Sequence, residues 1–210
     1  MAIESGFARH ADAGRARGAK TPVASDGYRA ESALSTDSTD AVRTVLDEIA
    51  RIATAGAIMQ QLGADICTLL NAERLTIYAV SDDGEWLIST VRMGLESFKE
   101  IRLRIGDTSI AGYCALHKTV LNIHDAYDER ELERLGPRLA FFKEVDRRTG
   151  YRTRQVLAAP LLRRQGRELA GVVQVINSRN GAPFPPWSAG AIERIGEALA
   201  AVLRPAAAAP

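Results

Sequence analysis

Cysteine, histidine and aromatic residues are scarce in this chain, and neither sign of charge is in excess. Its 210 residues include two cysteines and three histidines, and 27 basic side chains accompany 26 acidic ones. This balance predicts no general attraction to nucleic acid or to an anionic membrane. No run of about 18 apolar residues predicts a membrane span, and the first twenty residues lack the hydrophobic region of a secretory signal. Cys67 and Cys114 lie far apart in apolar patterns, so we expect free thiols in a reducing, cytoplasmic protein.

Catalytic and metal-binding constellations are lacking as well. Cys114 and His117 are three apart on a predicted helix and could share one face, but a metal site needs three or four ligands. The other histidine of the predicted folded part, His124, has no matching spacing. No nucleophile stands beside a recognisable base. The sequence therefore predicts a non-enzymatic binding protein with no metal and no cofactor, in which Cys67 and Cys114 pack in the interior.

The two ends of the chain differ in composition from its middle. Residues 1–39 are rich in Ala, Gly, Ser, Arg and Asp and hold few large apolar groups, which predicts a flexible arm. Asp40 is a plausible N-cap for the first helix of a folded domain at residues 40–204. Residues 205–210 form an Ala/Pro tail.

Apolar residues recur at helical spacing near both ends of this domain and alternate between them. Residues 42–70 predict two amphipathic helices interrupted near Gly56, and Ser188 caps a third. Strands are predicted at 75–80, 86–91, 101–105, 119–123, 156–162 and 169–176. The last two are nearly continuous apolar runs, which is typical of central strands covered on both faces. We predict an α+β domain: a central antiparallel sheet with N- and C-terminal helices on one face and a ligand pocket under loops and short helices on the other.

A predicted helix that begins at Ile110 suits an anionic ligand. Its first amides have no intrahelical partner and lie at the positive end of a helix dipole. The small residues Ala111 and Gly112 would let a ligand approach this backbone closely. Water and a cap from Asp107 or Thr108 would satisfy the same amides, so the helix start alone does not decide between the two interpretations.

The segment VDRRTGYRTR at residues 145–154 reads as a polar loop. It offers the carboxylate of Asp146, the hydroxyls of Thr149 and Thr153, and four arginines. Hydroxyls and amides can hold a phosphodiester or a base edge, and arginines can grip phosphate as bidentate donors. An exposed basic loop is the alternative.

Three short stretches of this region together resemble the GAF domain, a sensory and dimerisation module of phosphodiesterases, cyclases and bacterial regulators. They are IAG at 110–112 with Ala115, NIHDAY at 122–127, and VDRRTGYRT at 145–153. They are most similar to the subset that binds cyclic nucleotides, whose pattern is IAG-x-x-A, NI-x-DAY and VD-x-x-TG-aromatic-RT. They are also similar to GAF modules that precede ATPases of bacterial type II secretion and type IV pilus systems. The resemblance covers about residues 40–204.

The resemblance implies a ligand site made of Ile110, Ala111, Tyr127, Asp146, Thr149, Thr153 and Arg92. The first two would give backbone amides to a cyclic phosphate. The two threonines would contact the ligand, and Tyr127 and Asp146 would line a lid. Where members that bind cyclic GMP place Phe-Asp to read the purine, this chain has Arg92 and Met93, so the base stays open.

Two departures from the family pattern bear on the lid and on the reaction class. The family's NKFDE signature survives only as Asn177 and Phe184, with Ser178, Ser188 and Ala189 at its other positions. Its Lys and Asp form an ion pair in the family, and losing both leaves no uncompensated charge. The Cys-His pair that anchors a bilin in photosensory members is absent, and the catalytic cysteines of methionine-sulfoxide-reducing members are not recognisable.

We therefore expect a non-enzymatic regulatory domain that binds a cyclic nucleotide, a cyclic dinucleotide or a related small effector. It would signal as a homodimer through its terminal helices, because the apolar stripes there exceed what one covering layer requires. A secretion or pilus ATPase is a candidate output partner. Two alternatives stay open: a structural dimerisation module with a vestigial pocket, and a redox sensor that uses Cys67 and Cys114.

Overall fold

Helices from both ends of the chain pack on one face of an antiparallel sheet in the computed structural model, which describes residues 2–3, 36–51, 55–93, 100–163 and 168–203. The helices are α1 (Thr36–Arg51), α2 (Ala55–Leu69), α3 (Ile110–His117), α4 (Glu129–Leu135), α5 (Glu144–Thr149) and α6 (Trp187–Val202). The strands are β1 (Ala2–Ile3), β2 (Ala72–Val80), β3 (Trp86–Met93), β4 (Glu100–Arg104), β5 (Leu121–Ile123), β6 (Val156–Arg163) and β7 (Glu168–Ser178).

Six strands form the antiparallel sheet in the order β4-β3-β2-β7-β6-β5. The two-residue strand β1 adds a short parallel pair at the outer edge of β4. Both β6 and β7 have a strand on each side, as their continuous apolar runs predicted. The predicted α+β architecture is confirmed.

Successive side chains of a strand point to opposite faces, and each face of the sheet has its own hydrophobic core. The core under α1, α2 and α6 includes Val42, Ile66 and Ile195, all fully buried. The core on the opposite face includes Ile110 of α3 and Leu132 of α4. The predicted layering, with terminal helices on one face and the middle segment on the other, is therefore confirmed.

The helix starts differ from those predicted. Helix α1 begins at Thr36, and Asp40 lies within it and pairs with Arg43 instead of capping the helix. Ser109, rather than Asp107 or Thr108, caps α3, because its extended backbone lets its Oγ accept the Gly112 amide at 3.1 Å.

Other predictions of local structure also need correction. Ser188 is buried in the first turn of α6, whose N-cap position is Pro186, so it does not cap this helix. Residues 129–135 and 144–149 fold as the short helices α4 and α5, where the sequence predicted a charged stretch and a loop. The predicted arm is helical from Thr36 onward and contributes β1, while residues 4–35, residue 204 and the predicted tail at 205–210 lie outside the described part of the chain.

Those members of the apolar stripes whose side chains the structure describes are already covered within one chain. Ile195 and Leu199 of α6 are 0% and 2% exposed and pack on the sheet. The large hydrophobic side chains exposed in the described residues are Leu116 and Leu135, which lie on α3 and α4. The homodimer stays a prediction, but it no longer has the support of an apolar surplus. Over the described ranges, no helix is both long and apolar enough to cross a membrane.

Candidate functional site

A cavity of about 60 Å³ lies between the sheet and the segment that runs from α3 to α5. That volume holds roughly two water molecules. The lining residues come from β2, β4, β7, α3, α5 and the connections between them: Arg74, Thr76, Tyr78, Ile101, Leu103, Ser109, Ile110, Ala111, Phe141, Phe142, Val145, Asp146, Thr153, Gln174 and Ile176. Most of these side chains are apolar, and a few polar groups are placed among them, as in many small-molecule sites.

Polar side chains on the floor of the cavity were not identified from the sequence. Arg74, Thr76 and Tyr78 point to the cavity from β2, and Gln174 on β7 lies in register with Thr76. Thr76 is 1% exposed, yet its hydroxyl has no hydrogen-bond partner among the described residues. Burial raises the pKa of the Tyr78 phenol above its ordinary value. The strict alternation of Arg, Thr and Tyr with apolar residues along β2 was the signal that could have revealed this floor.

The start of α3 forms one wall, through Ile110 and Ala111. Ser109, directly before this helix start, makes two contacts within the chain. Its Oγ accepts the Gly112 amide, and its backbone pairs with Ala140 in a short parallel bridge. A Cβ atom on Gly112 would lie 2.5 Å from the backbone oxygen of Arg104, so only glycine allows α3 to sit this close to the end of β4.

Residues 139–153, which include α5, form the lid of the cavity, and Asp146 holds this lid together. Its carboxylate is 5% exposed and accepts three hydrogen bonds: from the Thr153 amide at 2.7 Å, the Thr153 hydroxyl at 2.8 Å and the Tyr127 hydroxyl at 3.1 Å. Gly150 ends α5 with a left-handed backbone, φ 69°, which turns the chain so that Thr153 can return to the carboxylate. Asp146 thus ties α5 to residues 151–154 and to the connection after β5.

Tyr127 is the second organiser of the lid. The guanidinium of Arg152 lies 3.4 Å from the centre of its ring, and the ring of Phe141 lies 5.3 Å away. Burial and the neighbouring Asp146 carboxylate raise the pKa of the Tyr127 phenol. Tyr127 does not line the cavity itself and contacts the lid through Asp146.

Asn177 anchors residues 152–154, at the end of the lid, to β7. Its side-chain oxygen accepts the Arg154 amide at 2.7 Å, and its amide nitrogen donates to the Arg152 carbonyl at 2.9 Å. Asn177 is buried at the end of β7, in a left-handed conformation that asparagine tolerates. Phe184, the other survivor of the signature, is buried under α6. The lid is therefore fixed to the sheet without the family's ion pair.

The two threonine hydroxyls of the predicted ligand site have no proton left to donate in this conformation. Thr149 donates to the Val145 carbonyl at 2.8 Å, and Thr153 donates to Asp146. A threonine hydroxyl carries one proton, so in this conformation each can only accept from a ligand. Arg147 and Arg148 project from the exposed side of α5 and pair with Glu144, at 4.0 and 3.0 Å. The predicted ligand contacts of this segment stay a prediction, and in this conformation its two threonines offer a phosphate no hydroxyl proton.

The predicted site residues divide into two groups. Ile110, Ala111, Asp146 and Thr153 line the cavity, whereas Tyr127, Thr149 and Arg92 do not. Arg92 lies on β3 in register with Thr76, and its guanidinium donates to the Ser89 carbonyl and hydroxyl at 3.0 and 3.2 Å.

The two cysteines are poorly placed for redox chemistry. Cys67 packs in the core under the terminal helices and Cys114 in the core on the opposite face of the sheet. Burial raises the pKa of the Cys67 thiol to about 11 and that of Cys114 further. The reactive thiolate is therefore scarce at neutral pH. No group of three or more potential metal ligands is found among the residues that the structure describes.

Comparisons with known proteins agree on one family. A family model for the GAF domain matches residues 40–203. The dual 3′,5′-cyclic-AMP and -GMP phosphodiesterase 11A of Takifugu rubripes is 32% identical over 131 residues, which cover 57% of this chain and 13% of that protein. A probable 3′,5′-cyclic phosphodiesterase of Caenorhabditis elegans is 35% identical over 114 residues, covering 54% and 14%. The chain thus spans a small part of each relative's length.

A solved structure shows the same fold. The GAF domain of a phosphoenolpyruvate-protein phosphotransferase from Coxiella burnetii superposes with a TM-score of 0.62 at 17% sequence identity. The superposition covers 78% of this chain and 90% of that one. At this identity the likeness concerns the fold alone.

Proposed function

Because this chain belongs to the GAF domain family, whose members are regulatory and sensory modules, we propose that its cavity binds a small-molecule effector and that binding regulates an output through the terminal helices. The observation that carries the proposal is the cavity itself, which lies where the family resemblance places a ligand. Ile110, Ala111, Asp146 and Thr153 all line it.

Cyclic nucleotides are the first class of effector to consider. The relative from Takifugu rubripes is a dual 3′,5′-cyclic-AMP and -GMP phosphodiesterase, and that from Caenorhabditis elegans is a probable 3′,5′-cyclic phosphodiesterase; this chain matches part of each. A cyclic nucleotide, with its base, ribose and phosphate, is larger than a cavity of about 60 Å³. Its binding therefore requires the lid at 139–153 to move outward, which would also release the proton of Thr153 from Asp146.

The end of α6 offers a route from the cavity to the output. The Arg163 guanidinium donates to the Ala200 carbonyl at 2.7 Å and to the Leu203 carbonyl, so the last turn of α6 is fastened to the β6–β7 hairpin. At Gly171 a Cβ would lie 1.9 Å from the backbone oxygen of Tyr78 and 2.9 Å from the Leu203 side chain. The cavity strand β2 and the end of α6 thus meet across one glycine, and a shift in either affects the other.

A thermal-shift and calorimetric screen tests the proposal. Cyclic AMP, cyclic GMP and cyclic dinucleotides are titrated into the protein, and an effector at a hundred times its dissociation constant stabilises the fold by about 2.7 kcal/mol. For a domain of this size we expect the melting temperature to rise by roughly 5–10 °C. Ala111→Trp fills the cavity and should abolish the shift, whereas Ala182→Trp in an exposed loop should preserve it.

Two results would count against the proposal. One is an effector that binds Ala111→Trp as tightly as the unaltered protein, which would place its site outside the cavity. The other is a result in which neither the nucleotides nor the amino acids considered below bind at millimolar concentration. Light scattering at tens of micromolar protein decides the separate question of the homodimer, and co-purification with a secretion or pilus ATPase tests that output partner.

A further inference from the structure

We infer that the effector is a compact zwitterion with an apolar side chain, of the size of an amino acid. The inference rests on the proposed function, because it names the ligand class of the same cavity. It follows from the charges that line the cavity, from the direction of its hydrogen bonds and from its volume.

The cation of the site is Arg74 on the floor of the cavity. Its guanidinium stacks on the ring of Tyr151 at 3.3 Å and forms no ion pair with any described residue. The neighbouring carboxylate of Glu73 instead accepts hydrogen bonds from the Tyr151 hydroxyl and from Asn177. A half-buried guanidinium without a carboxylate partner is a strong binding point for a ligand carboxylate, which it can grip with two parallel bonds.

The lid presents the opposite polarity. A carboxylate has about four acceptor positions, and the bonds from Thr153 and Tyr127 use three of those on Asp146. The remaining position and the lone pairs of the Thr153 hydroxyl accept hydrogen bonds only. An ammonium group, with three donors and a positive charge, matches both acceptors. A phosphate at the closed lid would instead face an anion and a hydroxyl that has no proton to give.

An α-amino acid carries a carboxylate and an ammonium on one carbon, and so it offers one group to each of Arg74 and Asp146, which line the same cavity. Its side chain would then lie among the apolar residues of the cavity, which include Ile101, Leu103, Phe141 and Phe142. A cavity of about 60 Å³ is smaller than either ligand class, since a cavity of about 150 Å³ holds benzene, so both need the lid to move outward and an amino acid needs the smaller movement. Charge, hydrogen-bond direction and volume therefore agree on the same ligand class.

Calorimetry with matched probes separates the two charges. L-Leucine and L-phenylalanine are titrated beside isoamylamine, which lacks the carboxylate of leucine, and isocaproate, which lacks its ammonium. Each lost charge-assisted interaction should weaken binding about tenfold to hundredfold. Equal affinity for leucine and either analogue would overturn the inference, because one end of the ligand would then be unrecognised.

Variants place the ligand in the cavity. Arg74→Met should weaken leucine binding at least about tenfold, and Arg74→Lys should restore part of the affinity because the positive charge returns. Arg179→Met removes an exposed arginine and should leave binding unchanged. Unaltered leucine binding in Arg74→Met, with a normal melting curve, would contradict the assignment.

Cyclic AMP and cyclic GMP complete the experiment, because they distinguish the inference from the proposed function. If they bind and the amino acids do not, the zwitterion is rejected and the effector function stands. If neither class binds, both fail. Binding of amino acids alone supports both the zwitterion and the effector function.

Discussion

Removing the carboxylate of Asp146 should loosen the lid more than any other single change there. The carboxylate is buried and is the shared acceptor of the Thr153 amide, the Thr153 hydroxyl and the Tyr127 hydroxyl. Asp146→Ala leaves the first two of these donors buried without a partner, whereas the hydroxyl of the partly exposed Tyr127 can turn to water.

The magnitude follows from the fate of each bond. A buried donor left unsatisfied costs about 1–3 kcal/mol, and the hydroxyl of Thr153 adds about 1 kcal/mol, so Asp146→Ala should destabilise the closed lid by about 2–4 kcal/mol. Asp146→Asn is milder. With its oxygen toward the Thr153 amide and its nitrogen toward the Thr153 hydroxyl, asparagine keeps the contacts, but the bond to that hydroxyl reverses and the hydroxyl proton loses its acceptor. We expect about 1–2 kcal/mol for this variant, since the charge assistance and the acceptor of one hydroxyl proton are lost.

Hydrogen exchange and urea unfolding measure the two effects together. The amides of residues 144–153 should exchange fastest in Asp146→Ala, more slowly in Asp146→Asn and slowest in the unaltered protein. Asp65→Asn, on the exposed side of α2, is the matched control and should change neither measurement. If Asp146→Ala changes the unfolding free energy by less than about 0.5 kcal/mol and leaves the exchange unaltered, the carboxylate does not hold the lid.

Four further outcomes test the core, the end of α6 and the thiols. Ile195→Asp places an unpaired charge in a fully buried position and should unfold the chain rather than separate two subunits, so a folded monomer by circular dichroism and light scattering would contradict the packing described. Arg163→Met removes the charged donor from two carbonyls at the end of α6 and should cost about 1.5–3 kcal/mol, seen as faster exchange confined to its last turn. The pKa of Cys67 is raised by burial from 9.0 to about 11, so the unfolded chain loses its thiol proton first, and stability should be unaffected below pH 9 and fall as pH rises toward 11. Native Cys67 and Cys114 should accordingly react slowly with a disulfide reagent at pH 8, and rapid labelling would reopen the redox-sensor hypothesis.

The predictions that succeeded used local periodicity, and those that failed depended on competing partners. The alternation along β2 and the apolar runs of β6 and β7 correctly predicted strands, because a side chain's face in a strand is set by its position alone. The caps were wrong because several polar residues precede α3 and only backbone geometry selects Ser109. The short helices α4 and α5 were missed because each is too short to show a period and owes its stability to contacts made elsewhere.

The candidate site illustrates the same division. The sequence brought Ile110, Ala111, Asp146 and Thr153 into one site through a family resemblance, and they do line one cavity. It attributed the same role to Thr149, whose hydroxyl is occupied by the Val145 carbonyl. Whether a hydroxyl is free or engaged depends on an atom a few ångströms away, which no residue pattern encodes.

The sequence by itself determined the layers of this domain, since burying the apolar faces of its helices and strands permits few arrangements. It also determined the residue types available to a ligand. The tertiary structure alone decided which of them reach the cavity: strand register places Thr76 beside Gln174, and the turn at Gly150 brings Thr153 back to Asp146. The reason is physical, because burial sums over many residues and tolerates local variation, whereas a hydrogen bond between distant residues forms only when the whole fold sets its distance and angle.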